Sequence, residues 1–218
     1  MEARTQETQD DFLLLLEIIF IVRGEMEDPH PLWTAVRERQ MDNVKTLLKD
    51  PTVDVNWARE MWQNLTPLHY ACNNGFDAIV PLLLAHPAIN VNLKTLDGRT
   101  PFLLACYSGR TCCARLLLED LRVNINEPDA GGVSPLRHAA VRGHGGIVKW
   151  WLASGRDVVV PAAVSVGQDV VETVRSFEAR RLQSASVVSL LEKFSKNPQK
   201  TREAIKEELG IIREDHSS

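Results

Sequence analysis

The 218-residue chain is poor in cysteine: Cys72, Cys106, Cys112 and Cys113 are its only four, and no two form a CxxC pair. That is too sparse for a disulfide scaffold and lacks the spacing of a structural zinc site, so a cytoplasmic protein is expected, with the nucleus left open. A lysine or arginine block is missing as well. With 25 basic and 29 acidic residues the formal net charge is −4, which argues against nucleic acid or an anionic membrane as partner. Long hydrophobic runs are also absent. The one candidate, residues 12–22 (FLLLLEIIFIV), carries Glu17 and follows an acidic stretch, so it reads as neither signal peptide nor membrane span. A buried helix covering the first end of the fold is expected there.

Sharp enzyme signatures are missing too, with no Walker loop, GxGxxG, GxSxG or HExxH. The run His144-Gly145-Gly146 resembles an oxyanion-hole glycine stretch but falls in a helix-turn position of the pattern below. Asn64-Leu65-Thr66 is a formal glycosylation sequon with no expected role. Because His86 and His138 have no partner at ligand spacing, neither a metal nor a cofactor is expected.

What the chain does have is a repeat. With 44% hydrophobic and 25% charged residues it should fold, and its length suits one domain with an appendage or an extended array. The segments starting at Leu65, Arg99 and Val133 align in strict register, 34 residues apart. Thr66, Thr100 and Ser134 share one column, Pro67, Pro101 and Pro135 the next, and Ala71, Ala105 and Ala139 then Gly75, Gly109 and Gly143 follow. A weaker copy upstream aligns Pro31, Leu32, Ala35, Val44, Leu47 and Leu48; one downstream aligns Ala179, Val188, Leu190 and Leu191.

Each column has a physical reason. A hydroxyl before proline caps a helix and places the ring where its missing N–H costs nothing. Alanine lets neighbouring helices lie close, and glycine supplies the positive φ that ends the helix. A second helix carries apolar pairs such as Ile79/Val80 and Leu83/Leu84, and the asparagine-rich exits read as hairpin-like loops. After Arg156 a longer connection is expected, then helices near 170–182 and 184–194, and a last helix opened by Asn197-Pro198.

This pattern resembles the ankyrin repeat, with Thr66-Pro67-Leu68-His69 matching the family's TPLH, Gly143-His144 its GH turn and Val91-Asn92 its loop. The resemblance covers residue 31 to about 195, roughly four to five repeats, and the proline-bearing loops are similar to those of fungal and protist members. It implies an all-α solenoid of helix-turn-helix units, divided as 1–28 (capping helix or tail), 29–195 (repeat domain) and 196–218 (C-terminal helix and tail). Leu103 and Arg137 stand where His69 stands, so the histidine's bond to the capping threonine is not expected there.

The resemblance further implies a monomeric, non-catalytic module that binds a protein partner through its concave face and loop tips. Carried over by column, that face comprises Arg37 and Glu38; Trp57, Trp62, Gln63, Leu65, Asn73 and Asn74; Leu96, Asp97, Arg99, Tyr107 and Ser108; then Val133, Val141 and Arg142. Trp62, Tyr107 and Arg142 lie outside the stacking columns, so their loss should weaken binding and leave stability almost unchanged. Lys149 is the expected bystander on the convex side. The alternative is a ligand-responsive or thiol-active protein using Cys112 or a cleft beside residues 157–169; Cys72 and Cys106, on adjacent helices, should be too far apart to bridge.

Overall fold

The computed structural model describes residues 30–156 and 185–211. The expected helices at 12–22 and 170–182, residue Ala179 and the 157–169 cleft lie outside the described residues. Ten α-helices are described: α1 Pro31–Arg37, α2 Met41–Leu47, α3 Pro67–Asn74, α4 Val80–Leu84, α5 Pro101–Tyr107, α6 Thr111–Glu119, α7 Pro135–Val141, α8 Gly145–Ser154, α9 Ala185–Lys196 and α10 Pro198–Glu208. A short 3-10 turn, Glu60–Trp62, precedes α3.

The start of each inner helix follows from its cap. The hydroxyls of Thr66, Thr100 and Ser134 accept the backbone N–H of His69, Leu103 and Arg137, satisfying one orphan donor per helix. Only α3 has a reciprocal cap, in which the His69 ring returns to the Thr66 backbone. Buried His69 also reaches forward through Nε2 to the Leu93 carbonyl at 3.0 Å and the Arg99 carbonyl at 3.1 Å, tying two repeats together. Helix α1 starts at Pro31 after His30, which offers no side-chain cap. The corresponding turn is made by Arg39 at φ 56°, where later repeats use glycine.

Helices α1, α3, α5 and α7 stack in one row and α4, α6 and α8 in a second row behind it. Ala71, Ala105 and Ala139 are fully buried where first-row helices meet, so the alanine column sets their close approach. Between the rows lie Leu68, Phe102, Leu117, Ile147 and Trp151, with Trp151 edge-on to Phe102 at 5.2 Å.

Side chains stitch neighbouring loops together. Asn56 Nδ2 donates to the Ala88 carbonyl while its Oδ1 accepts from Asn90 N, both at 2.8 Å. One repeat later Asn92 does the same with the Arg122 carbonyl (2.8 Å) and Asn124 N (2.7 Å). Arg122 and Arg156 form another column: Arg122 Nη2 donates to the Leu84 carbonyl (2.7 Å), and Arg156 Nη1 to those of Leu118 (3.2 Å) and Asp120 (3.1 Å). Each guanidinium meets carbonyls at the end of the preceding repeat's second helix, where positive charge is favoured.

At the far end α10 packs on α8 and α9, burying Ile205 beside Val187 and Leu191. Arg202 Nε donates to the Leu152 carbonyl at 3.0 Å, and Lys149 pairs with Glu208. Lys149 therefore ties α8 to the last helix. The all-α solenoid with hairpin-like loops is what the structure shows.

Candidate protein-binding face

The loop tips beside the first-row helices form a bonded ledge. Within the tips Thr95 N donates to the Arg99 carbonyl (3.0 Å) and Asp129 N to that of Val133 (3.1 Å). Between tips Leu96 N donates to the Gln63 carbonyl and Ala130 N to that of Asp97, both at 2.9 Å. Five of the residues chosen from sequence, Gln63, Leu96, Asp97, Arg99 and Val133, therefore contribute backbone to the ledge. The Leu96 side chain is left 68% exposed at its edge.

The first tip is built differently. Its two extra residues are absorbed by the 3-10 turn and by Gln63 and Asn64, both left-handed at φ 54° and 60°. Arg59 N closes it onto the Leu65 carbonyl at 3.0 Å. The turn brings Trp57 and Trp62 onto fully buried Trp33: Trp62 stands edge-on to it at 5.7 Å, and Trp57 packs at 6.3 Å while stacking on His30 at 5.0 Å. Tyr70 continues the cluster against Trp33 (5.1 Å) and Phe76 (5.8 Å), and buried Arg59 lies over the Trp62 ring. Trp62 is thus half-buried structure, which corrects the expectation that its loss would leave stability almost unchanged.

Further along the row, Tyr107 gathers a second group. The Arg142 guanidinium lies 3.6 Å from its ring centroid and that of Arg99 4.8 Å, while His138 meets the ring edge-on at 5.3 Å. His138 Nε2 is 2.8 Å from Asp129 Oδ2. Burial lowers the His138 pKa, and the two guanidiniums lower it further against the pull of Asp129. Asp129 is raised by burial, but the bond from His138 and those from the Val133 and Gly131 amides outweigh this and hold it below its ordinary value. The pair is therefore a neutral imidazole donating to a carboxylate.

The remaining expected residues are tied into the row. Asn73 Oδ1 accepts from Ser108 Oγ at 2.6 Å, its carbonyl accepts from Arg110 Nε at 2.9 Å, and Asn74 Nδ2 donates to the Tyr70 carbonyl at 2.9 Å. Val141 is half-buried against the core, and Arg37 pairs with its neighbour Glu38 at 3.3 Å. Sequence reasoning missed His138, Asp129, Arg110, Tyr70 and Trp33. One signal for such contacts is numerical: Asn73 touches Ser108 and Tyr107 touches Arg142, each 35 residues on, one beyond the 34-residue repeat.

Of the thiols, Cys72, Cys106 and Cys113 are buried and Cys112 is exposed. Burial raises the first two well above the ordinary value and Cys113 to about 11, so these three are poor nucleophiles. Among the described residues no cluster of His, Cys, Asp and Glu could hold a metal ion, and no helix is long and apolar enough to cross a membrane.

The family model described as ankyrin repeats (3 copies) matches residues 9–95 and 87–162. The chain belongs to the ankyrin-repeat family. Ankyrin repeats generally mediate protein–protein interaction, and the family is typically non-catalytic. The match begins at residue 9, upstream of the position 29 where the sequence placed the start of the repeat domain. No curated protein matches the chain.

Proposed function

We propose that this ankyrin-repeat protein is a monomeric, non-catalytic adaptor that holds a protein partner against its first-row helices and loop tips. The observation that carries the reading is the ledge between Gln63 and Ala130, whose tips bond to one another through their backbones. That bonding fixes the ledge before a partner arrives, so little ordering entropy opposes binding. The ledge presents exposed Leu96, and the first-row helices beside it contribute half-buried Tyr107 and exposed Arg142. Aromatic and arginine side chains of this kind concentrate binding energy in protein interfaces. Work inside cells, in the cytoplasm or nucleus, belongs to the same reading.

Partners captured on the wild-type chain should be lost by Leu96→Asp with Tyr107→Ala and kept by Lys45→Ala, on the exposed side of α2. Hydroxyl-radical footprinting of the complex should protect the ledge. Protection confined to α2, α4 and α6 would overturn the assignment of the face.

A further inference from the structure

The group around Tyr107 is short of negative charge. Two guanidiniums, Arg99 and Arg142, converge on one phenol ring. Among the described residues neither is within ion-pair distance of a carboxylate. Asp129, nearby through His138, is already engaged: Oδ1 accepts from Gly131 N (3.0 Å) and Val133 N (2.8 Å), and Oδ2 faces His138. Arg99 Nε is buried with no hydrogen-bond partner, an unmet donor of a charged group.

Elsewhere some basic side chains meet acids, as Lys94 does Glu127, Arg115 Glu119 and Arg122 Asp120, whereas Arg39 and Arg202 each lie over a single ring with no ion pair among the described residues. What sets Tyr107 apart is that two such guanidiniums share one ring. A guanidinium fork matches a carboxylate in two parallel hydrogen bonds, and the aromatic ring keeps its plane oriented when the anion is absent. Leu96, exposed on the same hairpin as Arg99, offers an apolar contact beside the charge.

We propose that Arg99 and Arg142, held on Tyr107, dock an acidic, carboxylate-bearing segment of the partner protein, with Leu96 receiving an apolar residue of that segment. This rests on the reading that the first-row face binds protein, and it adds the chemistry of what is bound.

The probe is a fluorescein-labelled dodecapeptide of glutamates around one central leucine, beside a twin with glutamine at every glutamate, each titrated into the full chain by anisotropy. The acidic peptide should bind at least about tenfold more tightly than its twin and weaken as salt is raised. Arg99→Gln with Arg142→Gln should remove that preference, and Lys45→Gln should keep it. Arg99→Glu with Arg142→Glu should transfer preference to a lysine dodecapeptide while near-UV circular dichroism stays that of the wild type, which separates charge reversal from misfolding. Equal binding of the twins, no binding of the acidic one, or tighter binding of oligouridylate than of the acidic peptide would overturn the proposal. If the footprint of a captured partner still falls on the ledge, only the charge assignment is lost; if it falls on the second row, the face itself is lost.

Discussion

Gly109 closes α5 at φ 69°, and a Cβ built on it would stand 2.6 Å from the His144 ring of the next repeat. Backbone strain and collision therefore act together. Gly109→Val should cost about 1–3 kcal/mol, read as a lower urea midpoint with an unchanged slope. His69 carries a second residue-scale consequence. Burial pushes its pKa down to about 4, against carbonyl bonds to Arg99 and Leu93 that act in the other direction. Between pH 6.5 and 4 the unfolded chain binds a proton that the folded chain refuses, so stability rises with pH across that window and is lost as pH falls through it. The upper bound for this one site is about 3 kcal/mol, and His30, His138 and His144, all lowered first by burial, act in the same direction. Urea midpoints should fall steadily from pH 7 to pH 4.5, and His69→Gln should flatten part of that dependence while lowering stability at pH 7. A midpoint independent of pH would remove the buried neutral imidazole from the account.

At the scale of elements, helix starts were legible because each rests on adjacent residues: Thr66-Pro67, Thr100-Pro101 and Ser134-Pro135 open helices as their chemistry requires. The asparagine exits were legible as loops, but their role was not, since Asn92 works on residues 30 and 32 positions away. Its two bonds make Asn92→Ala a test of the ladder. Removing both should cost about 1–2 kcal/mol although Asn92 is partly exposed, and equilibrium denaturation would measure it. A cost near zero would make the ladder ornamental. The aromatic cluster shows the same limit on the candidate site. From sequence, a free tip residue and packing on the neighbouring loop were equally open for Trp57 or Trp62, because nothing local revealed Trp33 and Tyr70 beneath Trp62. Trp62→Ala should therefore lower stability by about 2–3 kcal/mol before any effect on binding is interpreted, whereas Tyr107 and Arg142, both on the candidate face, remain the cleaner probes.

The whole molecule is a row of units, each stabilised chiefly by its neighbours, so an end repeat depends on whatever covers it. At the far end that cover includes α10, which buries Ile205, bonds through Arg202 to the Leu152 carbonyl and reaches Lys149 through Glu208. Deleting 198–218 would uncover α8 and α9 together, exposing apolar surface around Val187 and Leu191 to water. Because repeat stability is a sum of units and interfaces, the loss should not spread evenly. Hydrogen exchange should rise first in α8 and α9, while α3 and α5, buried between neighbours on both sides, stay protected. The ledge from Gln63 to Ala130 lies mostly in those central repeats, so peptide capture should weaken less than the thermal midpoint falls. Uniform loss of protection along the whole row would instead mean that the repeats unfold as one cooperative block, with α10 part of its core.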